Sequence, residues 1–133
     1  MATDTRFDGP GPDAQYRQAL EEGRFVLQHC EDCAATRFPP ALVCRVCGSP
    51  RLAWRAGPAE AEVYAATTVR DRAGDYNVVI VELPGGARMM SRVDGADGST
   101  RPEVTIGLRV RPHIAGQGAE PHVVFIADEG AAA

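Results

Sequence analysis

The stretch CEDCAATRFPPALVCRVCGS, residues 30–49, decides how this chain folds. It contains Cys30, Cys33, Cys44 and Cys47, all four cysteines of the sequence, as two C-x-x-C pairs separated by residues 34–43. In a C-x-x-C turn both thiols point into one concavity whose backbone amides also donate to sulfur, and two facing turns offer four sulfurs in a tetrahedron. The spacing reads as two zinc knuckles around a structural metal. A closed four-sulfur site leaves no open coordination position, so it does not activate water while all four ligands bind. Iron in a rubredoxin-like site is the alternative that the same ligands allow. His29 is a weaker substitute ligand, because the cysteine set is complete without it. No thiol is left over as a nucleophile.

Working outward, the flanking residues read as a small ribbon. Asp13 is expected to cap a short helix in which Tyr16, Ala19 and Leu20 share a face, with Gly23 as its left-handed stop. Phe25-Val26-Leu27 reads as a strand entering the first knuckle and Leu52-Ala53-Trp54 as the strand that returns from the second. Phe38-Pro39-Pro40 is expected to be rigid, extended and non-helical, since each proline fixes its own φ and restrains the residue before it. Gly48 supplies the permissive turn after Cys47. Residues 24–55 bury too little apolar surface to fold alone, so metal binding, worth about 10–16 kcal/mol in small finger peptides, has to contribute.

After Gly57 and Pro58 the pattern changes to short strands. Glu62–Arg70, Tyr76–Leu83, Ala87–Val93, Leu108–Ile114 and His122–Ile126 are five candidates, and alternation puts one of Met89 and Met90 inside and the other outside. Residues 71–75 and 84–86 are hairpin turns, whereas residues 94–103 form a longer crossover rich in Gly and Asp. A three-strand meander followed by a crossover fits an OB-fold barrel. The expected class is therefore mainly β: a short N-terminal helix and a rubredoxin-like zinc ribbon, then a five-stranded OB-fold barrel with its own core. The expected divisions are a tail and helix over 1–23, the ribbon over 24–57, the barrel over 58–128 and a frayed end over 129–133.

Charge narrows the function. The 133 residues carry a net charge of −4, and the basic residues are all Arg because the sequence has no Lys. An acidic chain with few aromatics on its presumed second and third barrel strands is poorly suited to phosphate backbones, so no nucleic-acid partner is expected. No apolar run approaches the roughly 20 residues of a membrane span, and Met1–Ala14 lacks a secretory apolar stretch, which points to a soluble cytoplasmic protein without membrane contact. In a reducing compartment C-x-x-C pairs read as metal ligands rather than disulfides. His29, His113 and His122 are scattered, and no Ser-His-Asp grouping or phosphate-cradling Gly loop is visible, so no catalytic residue is expected. Arg70, Arg72, Arg88 and Arg92 are expected near the hairpin ends, where phosphate or carboxylate would meet them.

The order of pieces, a short helix, C-E-D-C, F-P-P-A-L-V-C-R-V-C-G-S, Trp54, Gly57, V-Y-A-A-T-T-V and V-T-I-G-L-R-V, resembles the zinc-ribbon plus OB-fold family that partners thiolase-like enzymes in acyl-CoA metabolism. The resemblance runs from Tyr16 to Ile126. It implies a non-catalytic accessory subunit docked on a thiolase-fold chain that condenses, cleaves or transfers acyl groups. It also implies structural zinc, a coenzyme A thioester as the complex's substrate, and a barrel face that borders the pantetheine passage. Arg70, Arg88 and Arg92 are then the candidate contacts to coenzyme A. Family members usually carry a second glycine shortly after the one matching Gly57; Pro58-Ala59-Glu60-Ala61-Glu62 stands there here, which implies a stiffer or differently angled link. The competing readings are a standalone OB module that binds nucleic acid or protein, and an acyl-CoA enzyme in its own right.

Overall fold

A computed structural model describes residues 11–116 and 118–128. The tail before Gly11 and the end at residues 129–133, expected to be loose, lie outside the described residues. Helix α1 spans Pro12–Glu21. It begins earlier than the sequence implied: extended Gly11 is the N-cap and no side chain caps the helix. Pro12 suits the first helical position because its missing N–H would have had no partner there. Asp13 thus lies in the first turn, where its charge faces the positive end of the helix dipole. Gly23, at φ 82°, stops the helix as expected, and the Arg24 N–H donates to the Ala19 carbonyl at 2.8 Å.

Strands β1 (Val26–Cys30), β2 (Thr36–Arg37) and β3 (Leu52–Ala56) form an antiparallel sheet with β1 in the middle. The chain then builds β4 (Ala61–Val69), β5 (Tyr76–Glu82), β6 (Arg88–Ser91), β7 (Val93–Asp94), β8 (Arg109–Ala115) and β9 (His122–Ala127). These make a second sheet of order β6-β5-β4-β8-β9-β7. The expected Ala87–Val93 strand is in fact two, divided at Arg92: β6 runs antiparallel to β5, whereas β7 runs parallel to β9. The two outermost strands are therefore consecutive pieces of chain, and the sheet turns back on itself without a continuous closing ladder. The gap is spanned by the Phe125 N–H donating to the Arg92 carbonyl at 3.0 Å and the Ser91 hydroxyl donating to the Val123 carbonyl at 2.9 Å. The result is a zinc-ribbon module followed by an OB-fold domain, mostly strand with one short helix among the described residues.

Asn77 holds the bend. It is buried at an inward position of β5, accepts from the Val93 N–H at 2.8 Å, and donates to the carbonyls of Val93 at 2.8 Å and of Arg101. One amide thereby satisfies both backbone groups of β7's first residue and anchors the crossover behind it. Gly107, at φ 93°, swings the crossover into β8 while its N–H donates to the Val63 carbonyl at 2.8 Å. Alternation resolves the methionines as Met89 inside and Met90 72% exposed.

The core corrects one expectation. Val63, Val79, Val81, Leu83, Met89, Val93, Val110 and Phe125 fill the barrel, but Leu20 of α1 and Leu27 of β1 belong to the same buried cluster. Tyr16, Phe25 and Phe38 pack against it as well. The barrel does not supply its core alone, because the parts before Gly57 are too small to bury apolar side chains among themselves. No helix among the described residues is long and apolar enough to cross a membrane.

Removing the Asn77 amide would leave the Val93 N–H and carbonyl buried without partners. Asn77→Ala is expected to lower stability by about 2–4 kcal/mol in urea unfolding of the zinc-loaded chain. A loss below about 0.5 kcal/mol would contradict this account of the bend.

Candidate metal centre and barrel surface

The two knuckles bring the four sulfurs within 4.8 Å of one another, a set able to hold a metal ion. Cys30 and Cys47 Sγ are 3.6 Å apart, as are Cys33 and Cys44 Sγ. Four sulfurs about 2.3 Å from a zinc ion would stand about 3.8 Å apart, so the constellation fits tetrahedral zinc. Cys30 and Cys44 are buried while Cys33 and Cys47 lie at the surface. His29 has no place in this set.

The knuckles repeat one backbone design. In each, the residue after the second cysteine donates to the carbonyl of the first: Ala34 to Cys30 at 2.9 Å and Gly48 to Cys44 at 2.8 Å. The first cysteine's own N–H bonds onward, Cys30 to the Ala35 carbonyl and Cys44 to the Ser49 carbonyl, both at 2.8 Å. Both turns require positive φ, 77° at Gly48 and 65° at Ala34. The sequence reading anticipated the glycine; Ala34, under the same constraint with a Cβ, bears local strain.

Amide donors and crowded sulfurs divide the thiols into two kinds. The Cys47 and Val46 amides bring the Cys44 thiol down to about 6, and the Cys33 amide is the largest influence lowering Cys30. At Cys47 the Ser49 amide also lowers, but desolvation and the three neighbouring sulfurs outweigh it and push the thiol up to about 12. Cys33 is raised likewise, the pull of the Ala35 amide being overcome by desolvation and the sulfurs of Cys44 and Cys30. The first thiolates form readily and then oppose the ionisation of the rest. A divalent cation removes that opposition, which is the chemistry of a four-thiolate metal site.

Residues outside the ligand set stiffen it. Arg51 donates to Asp32 Oδ1 at 2.8 Å and to Glu31 Oε2 at 3.2 Å, gripping both middle residues of the first knuckle. The Ser49 hydroxyl donates to Asp32 and accepts from the Arg51 N–H at 3.0 Å, so the strand leaving the second knuckle is tied to the first. Gln28 pairs with Ala41 in both directions, Nε2 to carbonyl at 2.9 Å and N–H to Oε1 at 2.8 Å, fastening the proline segment to β1. Phe38-Pro39-Pro40 is non-helical as expected but not extended: the chain bends at Phe38 and Pro39, where the peptide bond is cis. The Tyr16 ring lies 5.6 Å from Phe38 and 6.4 Å from Trp54, and its burial pushes the phenol up to about 12. Trp54 Nε1 donates to Gln15 Oε1 at 2.7 Å.

The candidate arginines do not gather. Arg70 is bound to Asp75 at 2.6 Å at one end of β5, and Arg88 pairs with Glu82 at 3.2 Å at the other end, roughly 20 Å away along the strand. Arg92 leans on Asp94 at 3.2 Å. Alternation could not show this, because neighbouring carboxylates and strand ends set it. Arg92 borders an open groove of ≈ 400 Å³ with Tyr76, Val78, Met90, His122 and Val124. Arg88 stacks over the ring of Tyr64 at 3.8 Å, and a β-bulge at Tyr64 shifts the β4–β5 register there. Among the described residues His122 Nδ1 contacts the Glu120 carbonyl at 3.0 Å, and no histidine is paired with a nucleophile.

Two family models match the chain: the rubredoxin-like zinc ribbon domain of ChsH2 over residues 17–53 and the ChsH2 C-terminal OB-fold domain over residues 54–115. The chain belongs to this zinc-ribbon and OB-fold family. No curated protein matches it in sequence. Among solved structures it is similar to a chain of the Ltp2-ChsH2(DUF35) aldolase, with 25% identity, a TM-score of 0.72, and coverage of 92% of this chain and 98% of that one. It is also similar in fold to a DUF35-family protein of unknown function from Sulfolobus solfataricus, with 16% identity, a TM-score of 0.63, and coverage of 92% and 90%.

Gln28 and Asn77 escaped the sequence reading, although each is an amide at a position where alternation expects an apolar side chain, and that was their signal. Arg51, Ser49 and Tyr64 had none, because their partners lie far away in sequence.

Zinc-replete protein is expected to carry about one zinc per chain by metal analysis, and Cys33→Ser to lose stoichiometric zinc. Absence of tightly bound metal after reducing purification would refute the assignment. The left-handed turns give a separate contrast: an added Cβ at Gly48 meets no atom within 4 Å, so only backbone strain acts there. Gly48→Ala should cost about 1 kcal/mol in urea unfolding, while Ala34→Gly should be neutral or stabilising by up to about 1 kcal/mol.

Proposed function

We propose that this chain is the non-catalytic accessory subunit of a thiolase-superfamily enzyme, a thiolase, acyltransferase or aldolase, that acts on an acyl-CoA. Its work is to shape the complex and the coenzyme A passage from an intracellular, membrane-free position. The observation that carries the reading is the likeness, over nearly the whole of both chains, to a chain of the Ltp2-ChsH2(DUF35) aldolase. Family membership in both modules supports it, as does the commitment of every thiol to the metal set. Zinc in this reading is structural, held by Cys30, Cys33, Cys44 and Cys47.

Arg70, Arg88 and Arg92 remain the proposed contacts to coenzyme A, but as separate positions rather than one anion cradle. Arg88 is the best prepared of the three, since Tyr64 fixes the plane of its guanidinium. Each arginine has a carboxylate to leave when phosphate arrives, which makes the contact an exchange of partners. The alternative, a standalone OB module that binds nucleic acid or protein, is less well supported: Arg88 covers the Tyr64 ring, and local acids neutralise the arginines around the exposed face.

Co-expression with thiolase-fold proteins encoded beside it tests the reading. The expected outcome is a complex that survives size exclusion and turns over an acyl-CoA, while this chain alone does not. Within that complex, Arg88→Ala should raise KM for acyl-CoA about tenfold to a hundredfold with little change in kcat, as loss of a charge-assisted phosphate contact requires. Turnover by the isolated chain, or tight binding of single-stranded oligonucleotides near physiological salt without any thiolase-fold partner, would overturn it.

A further inference from the structure

We propose that the zinc ribbon is the end plug of the barrel, so that metal occupancy governs whether the barrel is closed. The barrel end in question is formed by the start of β4, the end of β5, the start of β6 and the turn between β5 and β6. Several parts of the N-terminal region meet there. Leu20 and Leu27 are buried in the same apolar cluster as Val63, Val81, Leu83 and Met89. Phe25 packs against that cluster and lies so close to Gly57 that an added Cβ would stand 2.5 Å from its ring. The Gly57 N–H donates to the Phe25 carbonyl at 2.8 Å, extending the β1–β3 pairing to the link that leads into β4. On the far side, a Cβ at Gly85 in the β5–β6 turn would lie 3.2 Å from Thr36 Oγ1 of β2.

The metal reaches the plug through one strand. Leu27 is the second residue of β1, and β1 ends at the ligand Cys30. β1 is held in place by β2 and β3, and both of these connect to it through the knuckles. A ribbon without a core of its own is ordered by its metal. Loss of the metal therefore releases β1 and withdraws Leu27 from the cluster that it shares with Leu83, Met89 and Val63. Any surface that the barrel presents to a partner is then zinc-dependent, although the barrel contributes no ligand.

Amide hydrogen exchange of the full chain tests the plug, independently of any partner or activity. Chelation of the zinc-loaded protein under reducing conditions should accelerate exchange at the amides of Val79, Val81, Met89 and Phe125 by at least about tenfold, alongside those of β1 and β3. Leu27→Ala, which keeps all four cysteines, should still hold one zinc yet show at least about tenfold faster exchange in β5 and β6. Complete unfolding on chelation agrees with the proposal. Barrel amides that stay within about twofold while β1 and β3 exchange out would overturn it, and so would zinc-loaded Leu27→Ala with an unchanged barrel.

Discussion

Four sulfurs held within 4.8 Å of one another cannot all ionise without a cation among them, and the chain before Gly57 is arranged around that constraint. Backbone amides favour the first thiolate of each knuckle, and the crowding of the others makes a divalent metal the natural complement. Everything that stiffens the site acts from outside it: Arg51 and Ser49 bind the knuckles together, and Gln28 secures the loop between them. These contacts orient the ligands around the metal and add to its hold on the ribbon. Zinc then anchors β1, and β1 carries Leu27 into the barrel.

The barrel has a complementary problem. Its third run must leave β5, with which it pairs antiparallel, and join β9, with which it pairs parallel, across the bend of the sheet. The chain solves this by breaking at Arg92 and meeting the buried backbone groups of Val93 with a single buried amide, Asn77. Such a group is costly if left unpaired and specific when fully paired, so it fixes where the bend occurs. The opposite end of the barrel is closed by residues borrowed from the helix and the ribbon. The two modules are thus distinct in topology and continuous in packing.

The outer surface carries features that agree with the proposed adaptor role. Arg70, Arg88 and Arg92 rest on neighbouring carboxylates, the groove beside Arg92 is open, and Tyr64, Tyr76 and Met90 present apolar area to solvent, 49%, 40% and 72% exposed. Exposed aromatics and methionine beside arginine are the composition of contact surfaces, where reversible pairs can be exchanged for a partner's groups. The proposed role as an accessory subunit needs no more chemistry than this.

The sequence by itself determined whatever depends on short-range covalent spacing. Two thiols three residues apart share a turn, alternation separates Met89 from Met90, and a proline pair excludes helix; each follows from bond geometry within a few residues. The gathering of the four cysteines, most strand positions and the module order were legible for that reason, whereas the two-residue β2 was too short to show a period. Only the tertiary structure decided the split at Arg92, the grip of Arg51 on Glu31 and Asp32, the separation of Arg70 from Arg88, and the entry of Leu20 and Leu27 into the barrel core. These are pairings across long stretches of chain. Which groups meet there depends on how strands twist and modules dock, and no local periodicity records it.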